Sequence, residues 1–268
     1  MKKLIKTLKS LNTQDPNLPF AVYTCKQKQC LRSVPILKPI LILMLEGTKE
    51  IVGEKKITCS EGQFLFLAGN AEVTLNNIPQ HGSYLSLMIT FEQHDFDILS
   101  TPSTANKTLL IGSQTQALTT CVSQYVQWQA ELPQEILELR RKELLMLLHL
   151  QGYIDIASMK GRLSTTNTLV DIFKQDLSTR WSIKDVCYKL STSESTLRRQ
   201  LRSENTSFNG LQTQVKLGYG IHLIQTTKLP ILIVAEQCGY QSQSRFTESF
   251  KKRFGITPIK LRKTHLAE

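Results

Sequence analysis

Between Cys238 and Pro258 the chain reads CGYQSQSRFTESFKKRFGITP. Phe246, Phe250 and Phe254 recur every fourth residue, and Arg245, Lys251, Lys252 and Arg253 are set among them. Residues at i, i+4 and i+8 share one face of a helix, so the phenylalanines are its buried side. Gln243, Ser244, Arg245, Thr247, Glu248, Lys251 and Lys252 remain for the surface. Those side chains suit a double-stranded polyanion. Arg pairs bidentately with guanine and Gln with adenine in a major groove, while lysines contact phosphates. Gln243 and Arg245 are the candidate base readers, and Lys251 and Lys252 the candidate phosphate contacts. Glu248 is the odd residue on this face: it either accepts from cytosine N4 or weakens base contact.

A helix lying in a groove needs a second helix behind it. LPILIVAEQCGY supplies one, with Pro230 opening it, Ile233, Val234 and Cys238 apolar, Ala235 small at the crossing, and Gly239 making the turn. Ser242 is an N-cap, Gly255 ends the basic helix, and Pro258 is either a stop or the start of a short last helix. The same arrangement occurs upstream in WSIKDVCYKLSTSESTLRRQLRSE. Ser182 with Asp185 three residues on marks a helix start, and Ile183, Val186, Cys187 and Leu190 form its buried face. The helix from Ser193 to Glu204 buries Leu197 and Leu201 and presents Ser195, Thr196, Arg198, Arg199 and Arg202. Aligning the units places Cys187 with Ala235, Leu197 with Phe246 and Leu201 with Phe250. One helical hairpin of this kind also fits a structural bundle; its repetition favours paired helix-turn-helix modules. Arg198 and Arg199 are the base readers expected of the first module, with a surface salt bridge as the alternative for each arginine.

FNGLQTQVKLGYGIHLIQTT, from Phe208 to about Gln225, reads as the helix joining the modules. A rigid joint fixes their separation, and successive major grooves on one face of DNA are about 34 Å apart. Gly210, Gly218 and Gly220 soften this helix, each costing up to about 1 kcal/mol relative to Ala. Gly220→Ala is therefore expected to stabilise it.

Roughly residues 167–262 resemble the DNA-binding domain of the AraC/XylS family of bacterial transcription regulators. The most specific stretch is IVAEQCGYQSQSRFTESFKKRFGITPIKLR, which follows the family's Ile, Ala, Gly-Phe/Tyr, Ser, Phe, Phe-Lys, Phe-Gly, Pro and Arg. Lys216 and Gly220 depart from it, standing where the family usually has Arg and Ala. The first module is similar to the enteric virulence and acid-response branch. The resemblance implies an α+β chain. Its N-terminal part, 1–160, would be a cupin-like β-barrel with dimerisation helices. Its C-terminal part, 161–268, would be an all-α domain with two helix-turn-helix motifs joined by a linker helix. The implied function is sequence-specific transcription regulation, as an activator modulated by a small ligand. The implied partners are promoter DNA, a second copy of the chain, and RNA polymerase where it activates, all in the bacterial cytoplasm.

The residues before that region support part of this on their own. FAVYTC, ILILMLEG, KEIVGEKKITC, QFLFLAG, AEVTL and YLSLMITF are short β-branched and aromatic runs separated by glycine turns, the pattern of a small barrel or jelly roll. Such a fold is either filled or encloses a ligand. Lys26, Lys28, Arg32 and Lys38 either draw an anionic headgroup to it or are solvated. From Ser113 the period becomes helical. In PQEILELRRKELLMLLHLQG, the residues Ile136, Leu137, Arg140, Leu144, Leu147 and Leu148 lie near one face, widened by Leu139, Leu145, Met146 and Leu150. So apolar a helix needs two partners: the β-region and the same helix of a second chain, or two within this chain. ASMKGRLSTTN, 157–167, reads as a linker.

Charge agrees with a polyanionic partner. The 268 residues carry a formal net charge of +11, and from Thr166 onward there are 16 Lys+Arg against 8 Asp+Glu. The longest apolar run, Ile40 to Leu45, is too short to span a bilayer, and the N-terminus does not read as a secretory signal. Six cysteines without CxxC spacing read as ordinary thiols. The histidines, His81, His94, His149, His222 and His265, are scattered, and GxSxG, HExxH and P-loop signatures are missing. No catalytic residue, metal or cofactor is expected.

Overall fold

A computed structural model describes residues 2–11, 18–99, 107–129, 131–160, 164–179 and 181–265. A short helix, α1 (Lys2–Ser10), precedes nine strands: β1 (Ala21–Cys25), β2 (Gln29–Ile36), β3 (Ile40–Glu46), β4 (Thr48–Val52), β5 (Ile57–Ser60), β6 (Gln63–Leu67), β7 (Ala71–Ile78), β8 (Tyr84–Thr90) and β9 (Leu109–Ser113). They form two separate antiparallel sheets, in the orders β1-β8-β3-β6-β9 and β2-β7-β4-β5. The expected barrel is thus an open pair of facing sheets, not one closed ring of strands.

The near-continuous apolar runs have a direct cause. On β3, Ile42 and Met44 face the other sheet, while Leu41, Leu43 and Leu45 join the helical side. A strand covered on both faces loses its alternation. The register places Leu43 opposite both Phe64 and Leu87, at the centre of the five-stranded sheet. The covering helices are α1, α2 (Gln116–Trp128) and α3 (Gln134–Leu150). α1 buries Leu4 and Leu8, and α3 buries Leu137, Leu144, Leu145 and Leu148.

Seven helices follow: α4 (Thr165–Gln175), α5 (Ile183–Lys189), α6 (Glu194–Ser203), α7 (Phe208–Thr226), α8 (Ile231–Gln237), α9 (Gln243–Phe254) and α10 (Pro258–Lys263). Serine or threonine caps most of them. The side chains of Ser164, Ser182, Ser193, Ser207, Ser242 and Thr257 each accept from the backbone N–H three residues on. Each such cap contributes about 1 kcal/mol. Ser182 and Asp185 complete the expected capping box. The two turns need left-handed backbone, which Ser191 (φ 49°) and Gly239 (φ 69°) supply at matching positions. At Gly239 a Cβ would run into the Leu177 carbonyl, so glycine is required there for space as well. Part of the expected linker, 161–163, lies outside the described residues; α4 begins at Thr165.

The cores divide unevenly. Leu169, Phe173, Val186, Leu197, Leu201 and Phe208 form a cluster of their own in the first module. The phenylalanines of α9 instead belong to a cluster that also takes in Ile42, Met44 and Leu65 of the sandwich. The rings of Phe246 and Phe250 are 5.5 Å apart, and those of Phe250 and Phe254 4.6 Å. Gly220 of α7 lies directly against this cluster. A Cβ there would stand 2.9 Å from Phe246 Cε2 and 3.2 Å from Cys238 Sγ. The expected gain from Gly220→Ala is overturned: the glycine allows the helices to approach.

Candidate nucleic-acid interface

Two helices present the same design. On α6, Leu197 and Leu201 are buried, Ser195, Arg198, Arg199 and Arg202 are exposed, and Thr196 is half-buried. The hydroxyls of Ser195 and Thr196 both lie 2.9 Å from the capping hydroxyl of Ser193. On α9, Phe246, Phe250 and Phe254 are buried. Gln243, Ser244, Arg245, Glu248, Lys251 and Lys252 are exposed, and Thr247 is half-buried. α9 packs against α8 and β2, Phe246 lies against Gly220 of α7, and the polar front of α9 is left exposed. The salt-bridge alternative applies to Arg198, whose Nη2 is 3.4 Å from Glu194 Oε2. An exposed i,i+4 pair is worth only a few tenths of a kcal/mol, about the cost a competing phosphate has to match.

Other contacts set the two helices in place. The Glu204 carboxylate accepts from the backbone N–H groups of Thr165 and Thr166 at 2.9 and 2.8 Å, joining the end of α6 to the start of α4. Arg253, the fourth cation of the basic cluster, turns away from the open face and binds Glu72 of β7 at 2.8 Å. Glu72 also accepts from Gln214 of α7 at 2.8 Å. The Thr264 carbonyl accepts from the backbone N–H of Lys26, and its hydroxyl from Gln29 Nε2 at 2.7 Å. These contacts escape sequence reading because each joins residues more than thirty positions apart with no local signature; only Glu204, a carboxylate just past a helix end, gives a hint.

The six residues proposed for α3's shared face separate. Leu137, Leu144 and Leu148 point into the sandwich side, Leu147 is half-buried, and Ile136 is exposed along with Leu139 and Leu150. Arg140 pairs with Glu143 at 2.8 Å. The buried arginine of this helix is its neighbour, Arg141, whose Nε is 2.7 Å from Asp95 Oδ2.

A cavity of about 1030 Å³ lies between the sandwich and the C-terminal helices. Phe20, Ile40, Met88 and Leu137 form its apolar wall on one side, and Val215 and Tyr219 of α7 on the other. Of Lys26, Lys28, Arg32 and Lys38, only Lys38 lines it. Lys38 Nζ is 2.6 Å from Glu92 and 2.8 Å from Asp171 of α4. Burial opposes its charge, but hydrogen bonds to Asp171 and Glu92 outweigh burial and hold its pKa above the ordinary value. Lys174 also lines the cavity, its pKa lowered by burial and then by Lys38. His222 is held at about 4 by burial, reinforced by Lys174, so the wall presents a neutral imidazole at neutral pH.

A family profile described as a helix-turn-helix domain matches residues 186–264. Over 115 residues the chain is 32% identical to the HTH-type transcriptional regulator YdeO of Shigella flexneri. Residues 186–264 are a helix-turn-helix domain of the AraC/XylS family. The chain is similarly 32% identical, over 113 residues, to the transcriptional regulator SirC of Salmonella typhimurium. These matches take in 43% and 42% of this chain. They span less than half of each relative, 45% and 38%. The fold extends further. Apo ToxT from Vibrio cholerae superposes with a TM-score of 0.68 at 17% identity, covering 93% of this chain and 99% of that one. ToxT bound to an unsaturated fatty acid gives 0.63 at 18%, covering 93% and 96%. The facing sheets, covering helices and AraC-type domain are therefore a ToxT-like arrangement.

Proposed function

We propose that this chain is a sequence-specific DNA-binding transcription regulator acting at promoter DNA. One observation carries the reading: α6 and α9 each bury an apolar back and leave a basic, hydroxyl- and amide-bearing front open, and α7 joins the two modules, lending Leu211 and Val215 to the cluster of α6 and Gly220 to the surface under Phe246. The DNA-reading residues are Arg198, Arg199, Gln243 and Arg245, supported by Ser195, Thr196, Ser244 and Thr247. Arg202, Lys251 and Lys252 hold phosphates. Residues 161–268 form the DNA-binding part and 1–160 the sensory part. The regulator is an activator that contacts RNA polymerase and acts as a dimer, with the exposed Ile136, Leu139 and Leu150 of α3 meeting a second copy. The effector occupies the cavity between the two parts. Its apolar walls and its lysines at one end suit an apolar molecule with one carboxylate, the chemistry that a structure of ToxT holds.

Mapping binding sites across the genome by immunoprecipitation and sequencing tests this, in the wild type and in an Arg198→Ala, Arg245→Ala variant. Discrete promoter-proximal peaks that share a motif and vanish in the variant are expected. Diffuse occupancy indifferent to both arginines would leave nonspecific phosphate binding, which needs no paired reading helices.

A further inference from the structure

The polar end of the cavity is already neutralised from within. Lys38 bonds both Glu92 and Asp171, and Lys174, which also lines the cavity, lies close enough to feel both carboxylates. A ligand carboxylate arriving there adds a third negative charge to a part-desolvated site. It gains only by taking the place of a carboxylate already present.

The two residents are not equally held. Glu92 bonds Lys38 through both oxygens, at 2.8 and 2.6 Å. Its backbone N–H donates to Asp95 Oδ2 at 2.8 Å, which fixes it at the head of a short 3-10 turn in the same part of the chain as Lys38. Asp171 reaches across from α4 with one contact, and its side chain is 56% exposed. Asp171 loses less than Glu92 by returning to water, because its side chain is already more than half exposed and holds Lys38 by a single contact.

We infer that Asp171 is a built-in competitor for the effector: a ligand carboxylate displaces it from Lys38 and thereby removes the ion pair that ties α4 to the sandwich, leaving polar contacts such as Asn70 to Ser164 and Asn167 there. This rests on the cavity being the effector site. It assigns a direction to the effect. α4 carries the core of the first module through Leu169, Val170 and Phe173. The second module has separate ties, Glu72 to Arg253, and Thr264 to Lys26 and Gln29. A carboxylate effector therefore loosens the first module and leaves the second docked.

The test titrates palmitoleate, below its micellar concentration, into the full-length wild type, Asp171→Asn and Lys38→Met, and follows backbone amide exchange. Asp171→Asn, a substitution on a solvent-facing turn of helix, is expected to bind about fivefold more tightly than wild type, the scale of one exposed ion pair. Lys38→Met is expected to lose binding. In the wild type palmitoleate should speed exchange across 165–175 without changing 231–263. In Asp171→Asn that exchange should already be fast and stay unchanged on binding. Equal or weaker binding by Asp171→Asn, or slower exchange in α4 with ligand, overturns the competitor role while leaving the cavity as the effector site. No binding to any of the three proteins overturns the cavity reading and the competitor with it.

Discussion

Gly220→Ala asks whether α7 is soft or closely packed. On helix propensity alone the substitution gains up to about 1 kcal/mol. The new methyl would stand 2.9 and 3.0 Å from Phe246 Cε2 and Cζ, and 3.2 Å from Cys238 Sγ. Carbon pairs are comfortable at about 3.5–4.0 Å, so the ring must retreat by roughly half an ångström or more. It has nowhere to go, because Phe246 is fully buried with Tyr240 at 5.3 Å and Phe250 at 5.5 Å between centroids. Overpacking of this kind costs about 1–3 kcal/mol. The net expectation is a loss of up to about 2 kcal/mol in urea unfolding, after subtracting the propensity gain. The cause is separable. In a Phe246→Leu background the added methyl finds room, so the two substitutions should couple by about 1 kcal/mol or more. A gain in stability from Gly220→Ala, or additive effects of the pair, would refute the close-approach argument and return α7 to a softened helix.

Three further outcomes follow from the same geometry. Arg141→Met strands Asp95, which is fully buried beside it; it should cost about 3–5 kcal/mol in urea unfolding, and adding Asp95→Leu should recover most of that. Lys251→Ala should weaken binding uniformly across DNA sequences and lower the slope of log affinity against log salt by about 1, measured by fluorescence anisotropy. His222 takes up its proton near pH 4 in the folded chain, against an ordinary 6.5, because burial and then Lys174 oppose the imidazolium. The unfolded chain binds that proton first as pH falls, so this contribution is intact above 6.5 and lost progressively from 6.5 down to 4. A His222→Gln variant should show a shallower fall in stability over that window.

The C-terminal helices were legible because their signals are local. A serine cap, an apolar residue every third or fourth position, and a glycine turn all lie within one short window, and α5, α6, α8 and α9 begin and end close to where those signals place them. The N-terminal part was legible only where strands are rich in apolar residues. β2 was missed because QCLRSVPI contains Pro35 and a register shift between Leu31 and Val34, with Ser33 at positive φ. α1 was missed because four lysines hide the Leu4 and Leu8 pair that it buries. Closure of a barrel is a relation between distant edges, which no local pattern carries. The same holds at the candidate site: exposure of Arg245 and Lys252 follows from helical period, whereas the diversion of Arg253 to Glu72 depends on a strand 181 residues away.

The uneven division of the cores gives those long-range contacts a mechanical sense. The second module shares a buried cluster with the sandwich interior, so separating the two exposes apolar surface from both. The first module has its own cluster, to which Leu37 from the sandwich adds only a partly buried contact. Its remaining ties to the sandwich are polar, among them Lys38 to Asp171 and Asn70 to Asn167. Apolar burial costs about 25 cal/mol per Å² to undo, whereas an exposed ion pair costs at most about 1 kcal/mol. The cheap hinge therefore lies at α4. A small ligand can provide energy on the scale of that ion pair, but not on the scale of a shared core. Any control that the sandwich exerts over the spacing of α6 and α9 must act by releasing or holding the first module, while the second stays as the fixed reference on which the pair is built.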